Sequence, residues 1–267
     1  MTDRKYSILA HGLTAGYGTG RRQHAVIDDA EVSLSPGDFA VMVGANGAGK
    51  STLLRTLAGI QPRLGGELFL DGNVPEGMSR TELARTVAMV FTERTGAGGL
   101  TLREFVSLGR QPHTGFLGRM SADDRRIVDE AIGECGITSL ADRFMARVSD
   151  GERQKAMIAR ALAQQTPIIM LDEPTSFLDV ASRIETINTL SSLARDTGRT
   201  ILLSTHDIAP ALRAANRVIV LDKGTAQGSC TAKTYSINTP ALTCVLNNVF
   251  RDRGIIFDPD TRDFLAR

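Results

Sequence analysis

The sequence predicts an α/β protein: a core with a parallel sheet, an N-terminal antiparallel β region, and a helical subdomain. Three observations predict it. The first third is rich in β-formers broken by Gly and Pro, the middle carries apolar residues at helical spacing, and the last third alternates short apolar runs with helical stretches. That last alternation is the pattern of parallel strands joined by crossover helices. The 267 residues are enough to bury a sizeable core and read as one domain, with the helical subdomain over about 95–165 and a C-terminal extension over about 225–267.

In the first third, ILAHGLTAGY, AEVSLS and FAVMVG read as strands, with the turn signal SPGD between the last two. ELFLDGN is a further short strand closing on an Asp-Gly turn. TLREFVSLGR and SADDRRIVDEAIGECG read as helices. Ser121 caps the second of these, and Asp123 and Asp124 sit in its first turn, where carboxylates face the positive end of the helix dipole. PIIMLDE, RTILLSTHD and RVIVLDKG are then strands, with ASRIETINTLSSLARDTG and IAPALRAAN as the helices between them. The end of the chain, TPALTCVLNNVFRDRGIIFDPDTRDFLAR, predicts a helix and a short hairpin that pack against the core rather than regulate it.

Composition narrows the function classes. With 31 basic and 30 acidic residues the net charge is +1, so no nucleic-acid partner is expected, since such surfaces carry a basic excess. The three cysteines, Cys135, Cys230 and Cys244, are odd in number and widely spaced, which reads as reduced thiols in a cytosolic protein. MTDRKYSILAHG has no long apolar stretch after its charges, so no signal peptide is expected. No apolar run approaches the roughly 18 residues that span a bilayer, which predicts a soluble or peripheral chain.

The strongest motif is VMVGANGAGKSTLLRTLAG, which matches G-x-x-x-x-G-K-[ST] between an apolar strand and a helix. Glycines let such a loop curl its N–H groups toward phosphate oxygens. Lys50 would reach the β- and γ-phosphates, and Ser51 would ligate Mg2+. PIIMLDE ends a strand in Asp172 and Glu173; the first can hold Mg2+ through water and the second can polarise an attacking water, though a buried strand running into an acidic turn reads the same way. His206 follows a strand and precedes Asp207, a placement that by itself also fits a packed histidine. VSDGERQKAMIARAL opens a helix on Ser-Asp-Gly, and exposed N–H groups at a helix start form a ready anion site.

Taken in order, GANGAGKST, VSDGERQ, IIMLDEPTSFLD and LSTHD resemble the ATP-binding subunits of ABC transporters, over about Tyr17 to Asp222. The resemblance implies a P-loop NTPase core that uses ATP and Mg2+ and works as a homodimer clamping two ATP molecules. It implies that Gly44, Ala45, Asn46, Gly47, Ala48, Gly49, Lys50, Ser51 and Thr52 hold the nucleotide and that Tyr17 stacks on adenine, although Tyr17 also fits a core or turn tyrosine. Ser149, Asp150, Gly151 and Glu152 would meet the γ-phosphate held by the opposite subunit, and Asp179 would contact that subunit. Glu173 would be the general base, Asp172 and Ser51 would serve the metal, and His206 would touch the γ-phosphate beside Lys50. Two departures stand out. The family shows Gly-Gly-Gln where this chain has Asp150, Gly151 and Glu152, so Asp150 must point away from phosphate or be paired, with Arg153 a nearby candidate. Where the family places a metal-sensing Gln, the chain has Thr92 followed by Glu93, either of which could meet Mg2+.

One cassette with no membrane span and no long coiled-coil insertion resembles importer ATPases, whose permeases are separate chains. The GR-x-P-H and GF-x-GR patterns in LREFVSLGRQPHTGFLGRMSADD are similar to cassettes that energise uptake of iron–siderophore complexes, haem or cobalamin. The expectation is an ATPase on the cytoplasmic face of the cell membrane, partnered by a second copy of itself, by permease subunits and indirectly by a substrate-binding protein. The alternatives are a soluble ABC ATPase uncoupled from transport, a cassette for another cargo, and a non-hydrolysing regulatory cassette.

Overall fold

The computed structural model describes residues 6–18, 20–91, 97–115, 118–223, 229–251 and 254–266, with the side chain of Arg21 left out. Among the described residues, nine strands form one mixed sheet. The N-terminal region supplies β1 (Ile8–Tyr17), β2 (His24–Leu34) and, after the phosphate loop, β4 (Gly65–Leu70); β1 pairs antiparallel with both of the others. The parallel part contains β3 (Phe39–Val43), β5 (Val87–Val90), β6 (Ile168–Asp172), β7 (Thr200–Ser204) and β8 (Arg217–Lys223). The strand order is β4-β1-β2-β9-β8-β3-β7-β6-β5, where β9 spans Cys230–Ser236.

Strand β9 corrects the expected outline. The C-terminal stretch was expected to contribute a helix and a hairpin, yet its first part joins the two halves of the sheet, parallel to β2 and antiparallel to β8. Its sequence, CTAKTYS, has no run of large aliphatics and is buried only at Cys230 and Ala232, so the apolar periodicity that marks a strand is weak. Helix α2 (Arg80–Thr86) also lies where no helix was expected. It buries no residue and stands on a capping box between Ser79 and Glu82, so it too carries no apolar signal. The expected helix and hairpin follow as α8 (Pro240–Val249) and the pair β10 (Ile255–Asp258) and β11 (Asp263–Ala266). Leu242, Leu246, Phe250 and Phe257 sink into the core, and Phe264 packs edge-on against Phe250 at 5.0 Å.

The sheet separates two cores because successive side chains of a strand face opposite sides. In β3, Ala40 and Met42 meet Leu53, Leu54 and Leu57 of α1 (Lys50–Leu57). Phe39, Val41 and Val43 face the other core. That core takes in α3 (Leu102–Ser107), α4 (Ala122–Glu134), α5 (Asp150–Ala163), α6 (Val180–Thr197) and α7 (Ile208–Ala214). No helix among the described residues is long and apolar enough to cross a membrane, and the three cysteines are free thiols.

The GR-x-P-H segment proves to be a polar clamp on the helices. Arg110 is buried; its Nε donates to Asp124 Oδ1 at 2.8 Å, and its Nη1 donates to the carbonyl of Ala163 at 2.8 Å and to Gln165 Oε1 at 3.1 Å. His113 Nε2 donates to the carbonyl of Gln164 at 2.8 Å. The start of α4 is thus tied to the end of α5, whose last carbonyls would otherwise lack partners.

The hydroxyl and amide of Ser121, and then Arg110, hold the Asp124 carboxyl down at about 2, from an ordinary 3.8. Because the folded value lies below the unfolded one, this contribution is fully present above about pH 4 and drains away as pH falls toward 2. Replacing Asp124→Ala leaves a buried guanidinium short of its counter-charge and is expected to cost about 3 kcal/mol in urea unfolding at neutral pH. The variant should lose less stability than the native chain between pH 4 and pH 2. A cost under about 1 kcal/mol would show that the carbonyl and amide partners of Arg110 suffice.

Candidate functional site

The phosphate loop runs from the buried end of β3 to the start of α1. Two of its glycines are required by geometry. Gly49 adopts φ 92°, and a Cβ there would lie 2.5 Å from Val26 Cγ1; a Cβ on Gly44 would lie 2.8 Å from Leu221 Cβ. No L side chain fits either place without displacing the strands beneath. Lys50 is buried and folds its ammonium back onto the loop, donating to the carbonyls of Gly44 at 3.0 Å and Ala45 at 3.3 Å. The loop is therefore held in a curl by its own lysine.

Tyr17, Val26, Asn46, Gly47, Gly49, Lys50, Ser51, Thr52, Glu173 and His206 line one groove of about 450 Å3. Tyr17 stands at the end of β1 with 51% of its surface exposed. Its hydroxyl and that of Thr52 are hydrogen-bonded at 2.8 Å, which fixes the ring over the start of α1. At the other wall β6 ends in the buried Asp172, and the chain then turns sharply, with Glu173 at φ 51°. A left-handed conformation at a non-glycine residue is costly and persists where neighbours impose it. Here the Glu173 N–H donates to the carbonyl of Ser204 at 2.8 Å, and Glu173 Oε1 lies 2.7 Å from His206 Nε2.

Sequence reasoning missed the residues that hold this pair. Asp207 accepts from Thr175 Oγ1 at 2.8 Å and from Arg183 Nη1 at 2.9 Å, and Thr175 also meets the hydroxyl of Thr205 at 3.1 Å. The loop after β6 is thereby locked to the loop after β7. The only signal in the sequence was the acid directly after His206, and nothing in it named Thr175 or Arg183 as its partners.

A second groove is lined by Ser149, Asp150, Gly151, Glu152, Phe177 and Asp179, among others. Ser149 and Glu152 form a capping box on α5: Ser149 Oγ accepts from the Glu152 amide at 3.2 Å, and Glu152 Oε2 accepts from the Ser149 amide at 2.7 Å. That amide is the main reason the Glu152 carboxyl lies below its usual range. Asp150 is paired with Arg153, whose Nη2 also donates to the carbonyls of Met145 at 3.2 Å and Val148 at 3.3 Å. Gly151 lies against the loop before α6, where a Cβ would stand 3.3 Å from Leu178 Cδ2. Asp179 caps α6, accepting from the Ser182 amide at 2.9 Å. Beside it, Phe177 is 47% and Val180 72% exposed.

The fold thus gathers the phosphate loop, Tyr17, Glu173 and His206 in one groove and sets Ser149 to Glu152 and Asp179 in another. Asp172 is buried at the end of β6, one residue before Glu173, and is not one of the residues lining the first groove. Thr92 and Glu93 lie outside the described residues.

Comparison with known proteins shows the family. The family model described as ABC transporter matches residues 27–176. The iron(3+)-hydroxamate import ATP-binding protein FhuC of Bacillus subtilis is 37% identical over 256 residues, covering 96% of this chain and 92% of that protein. The ferric enterobactin transport ATP-binding protein FepC of Escherichia coli is 37% identical over 231 residues, 86% of this chain and 84% of that protein. Among solved structures, a dimeric ATP-binding cassette in a post-hydrolysis state with ADP and phosphate superposes with a TM-score of 0.70 at 27% identity, covering 80% of this chain and 93% of that one.

The staple at the start of α5 can be tested directly. Arg153→Ala removes the side-chain bonds to Asp150, Met145 and Val148, and the local opening free energy should fall by about 1.5 kcal/mol. Hydrogen exchange at the amides of 148–152 should then accelerate by about tenfold. Unchanged exchange would mean that the capping box alone holds the helix start.

Proposed function

The chain belongs to the ABC transporter family of ATP-binding proteins, and from that premise we propose that it is the ATP-hydrolysing subunit of an importer that takes up an iron chelate through a separate permease. The observation that carries the ATPase reading is the single groove that holds the curled phosphate loop, the Glu173–His206 pair and Tyr17. The cargo class is supported by the names of relatives matched along most of the chain, ATP-binding proteins of iron(3+)-hydroxamate import and of ferric enterobactin transport.

In this reading the adenine stacks on the exposed ring of Tyr17, and the phosphates lie along Gly44 to Thr52. Lys50 exchanges its bonds to the Gly44 and Ala45 carbonyls for phosphate oxygens, a charge-assisted gain that leaves the loop closed around the nucleotide. The Ser51 hydroxyl and the Asp172 carboxylate are hard oxygen donors of the kind Mg2+ prefers. They would hold Mg2+, which supplies charge neutralisation at the β- and γ-phosphates when bound.

Glu173 accepts a proton from water as the water oxygen bonds to the γ-phosphorus and the bond to the β–γ bridging oxygen breaks. His206, 2.7 Å from the Glu173 carboxylate, fixes its direction and lies on the side where the γ-phosphate ends. The two grooves of one chain are lined by different residues. A second copy related by a two-fold axis would bring the Ser149 groove of one protomer onto the nucleotide of the other. Ser149 Oγ accepts from Glu152, so its own proton is left for a phosphate oxygen. The exposed Phe177 and Val180 beside Asp179 supply apolar surface for such a contact. The protein would then sit peripherally on the cytoplasmic face of the membrane and meet its substrate-binding protein only through the permease.

Two measurements test the proposal. Purification of the tagged chain from detergent-solubilised native membranes should recover a many-helix permease in stoichiometric amount, and the reconstituted complex should take up ferric siderophore with ATP; recovery of soluble partners alone would overturn the importer assignment. Glu173→Gln should keep ATP binding and ATP-dependent dimerisation while turnover falls by about 10²–10⁴, and turnover near the native rate would remove Glu173 from the role of base.

A further inference from the structure

We infer that Ser204 is a positioning residue for Asp172, with a hydroxyl that comes into use only when the metal and nucleotide are bound. The inference rests on the reading of Asp172 as a cation ligand made above.

The argument begins with the alternation of two strands. In β7, Ile201 and Leu203 enter the core of α3 to α7, and Leu202 enters the core beneath α1, so Ser204 turns toward α1. In β6, Ile169 and Leu171 enter the first core and Ile168 and Met170 the second, so Asp172 turns toward α1 as well. The parallel ladder pairs Asp172 with Ser204 directly. Neighbours at one register of a parallel sheet project from the same face, with strands about 4.8 Å apart. The hydroxyl of Ser204 and the carboxylate of Asp172 therefore rise side by side beneath the phosphate loop.

Ser204 is fully buried, and its Oγ has no hydrogen-bond partner among the described residues. Its backbone is occupied, since its carbonyl accepts from the Glu173 amide. The neighbour on its other side is Met42 of β3, which offers no strong acceptor. The next hydroxyl along the chain, Thr205, is already engaged with Thr175. A buried hydroxyl without a partner carries the desolvation penalty of a polar group and returns nothing. Packing gives no reason for it, because an alanine would fill the same place under α1.

The acceptor that the register supplies is Asp172. An ionised carboxylate offers lone pairs on two oxygens, so one oxygen can face a cation while the other accepts from a neighbour. Rotation about χ1 moves the serine hydroxyl among three staggered positions without moving the strand. A hydroxyl-to-carboxylate bond of this kind is charge-assisted. It would orient the carboxylate, as outer partners of metal ligands do. Without that bond the buried hydroxyl carries its desolvation cost.

The consequence is a substitution with effects of opposite sign. The test uses the full-length chain, Mn2+ as an EPR-visible cation and a non-hydrolysable ATP analogue. Ser204→Ala should weaken Mn2+ binding in the presence of the analogue by about tenfold, and Ser204→Thr, which restores a hydroxyl, should recover it. Analogue binding in EDTA should be unchanged, and the Tm of the nucleotide-free protein should be equal or higher in the alanine variant. Native Mn2+ affinity in Ser204→Ala would overturn the inference. So would a lower Tm without nucleotide, since the hydroxyl would then already be in use. If the native chain binds Mn2+ no better with the analogue than without it, the cation reading of Asp172 fails first, and the two failures are told apart by the native control.

Discussion

The common ending of three parallel strands is the constraint on which the site depends. Met42 on β3, Ser204 on β7 and Asp172 on β6 lie at matching positions of neighbouring ladders. Beyond them the chain leaves the sheet into the phosphate loop, the His206 loop and the Glu173 turn. A slip of β6 by one residue against β7 would send Asp172 to the opposite core, because side chains alternate at every step. The Glu173 turn then follows: its amide is pinned to the Ser204 carbonyl, and its left-handed backbone directs the carboxylate to His206.

The antiparallel region is coupled to this edge through β9. That strand pairs with β2 on one side and β8 on the other, so the N-terminal sheet cannot move apart from the parallel one without breaking a central ladder. The coupling places Tyr17, at the far end of β1, against Thr52 on the phosphate-loop helix. On the opposite face, Arg110 links α4 and α5, the helix that carries the second groove.

Charge at the start of α5 is balanced locally. Two carboxylates in the first turn of a helix proposed to meet a phosphate would ordinarily work against it. Glu152, however, is spent on the amide of Ser149, and Asp150 on Arg153. Both acids are held by their own helix and its approach loop. The departure from Gly-Gly-Gln therefore changes the internal wiring of the helix start while the Ser149 hydroxyl keeps its place as cap.

Much of this chemistry was legible in the chain because it is local. The phosphate loop needs glycines at set intervals and a lysine at a set offset, and a capping box spans three residues, so both show in a short window. The strand–helix alternation likewise marks β6, α6, β7, α7 and β8, whose apolar runs are strong. Strand β9 and helix α2 escaped because neither buries an apolar stripe. The pairs that complete the site were beyond reach for a different reason. Glu173 with His206, Asp207 with Thr175 and Arg183, Tyr17 with Thr52, and Arg110 with Asp124 each join residues far apart in sequence. Such contacts depend on which strand ends beside which and on the face each residue turns to. Those are properties of sheet order and register, and they exist only once the chain has folded.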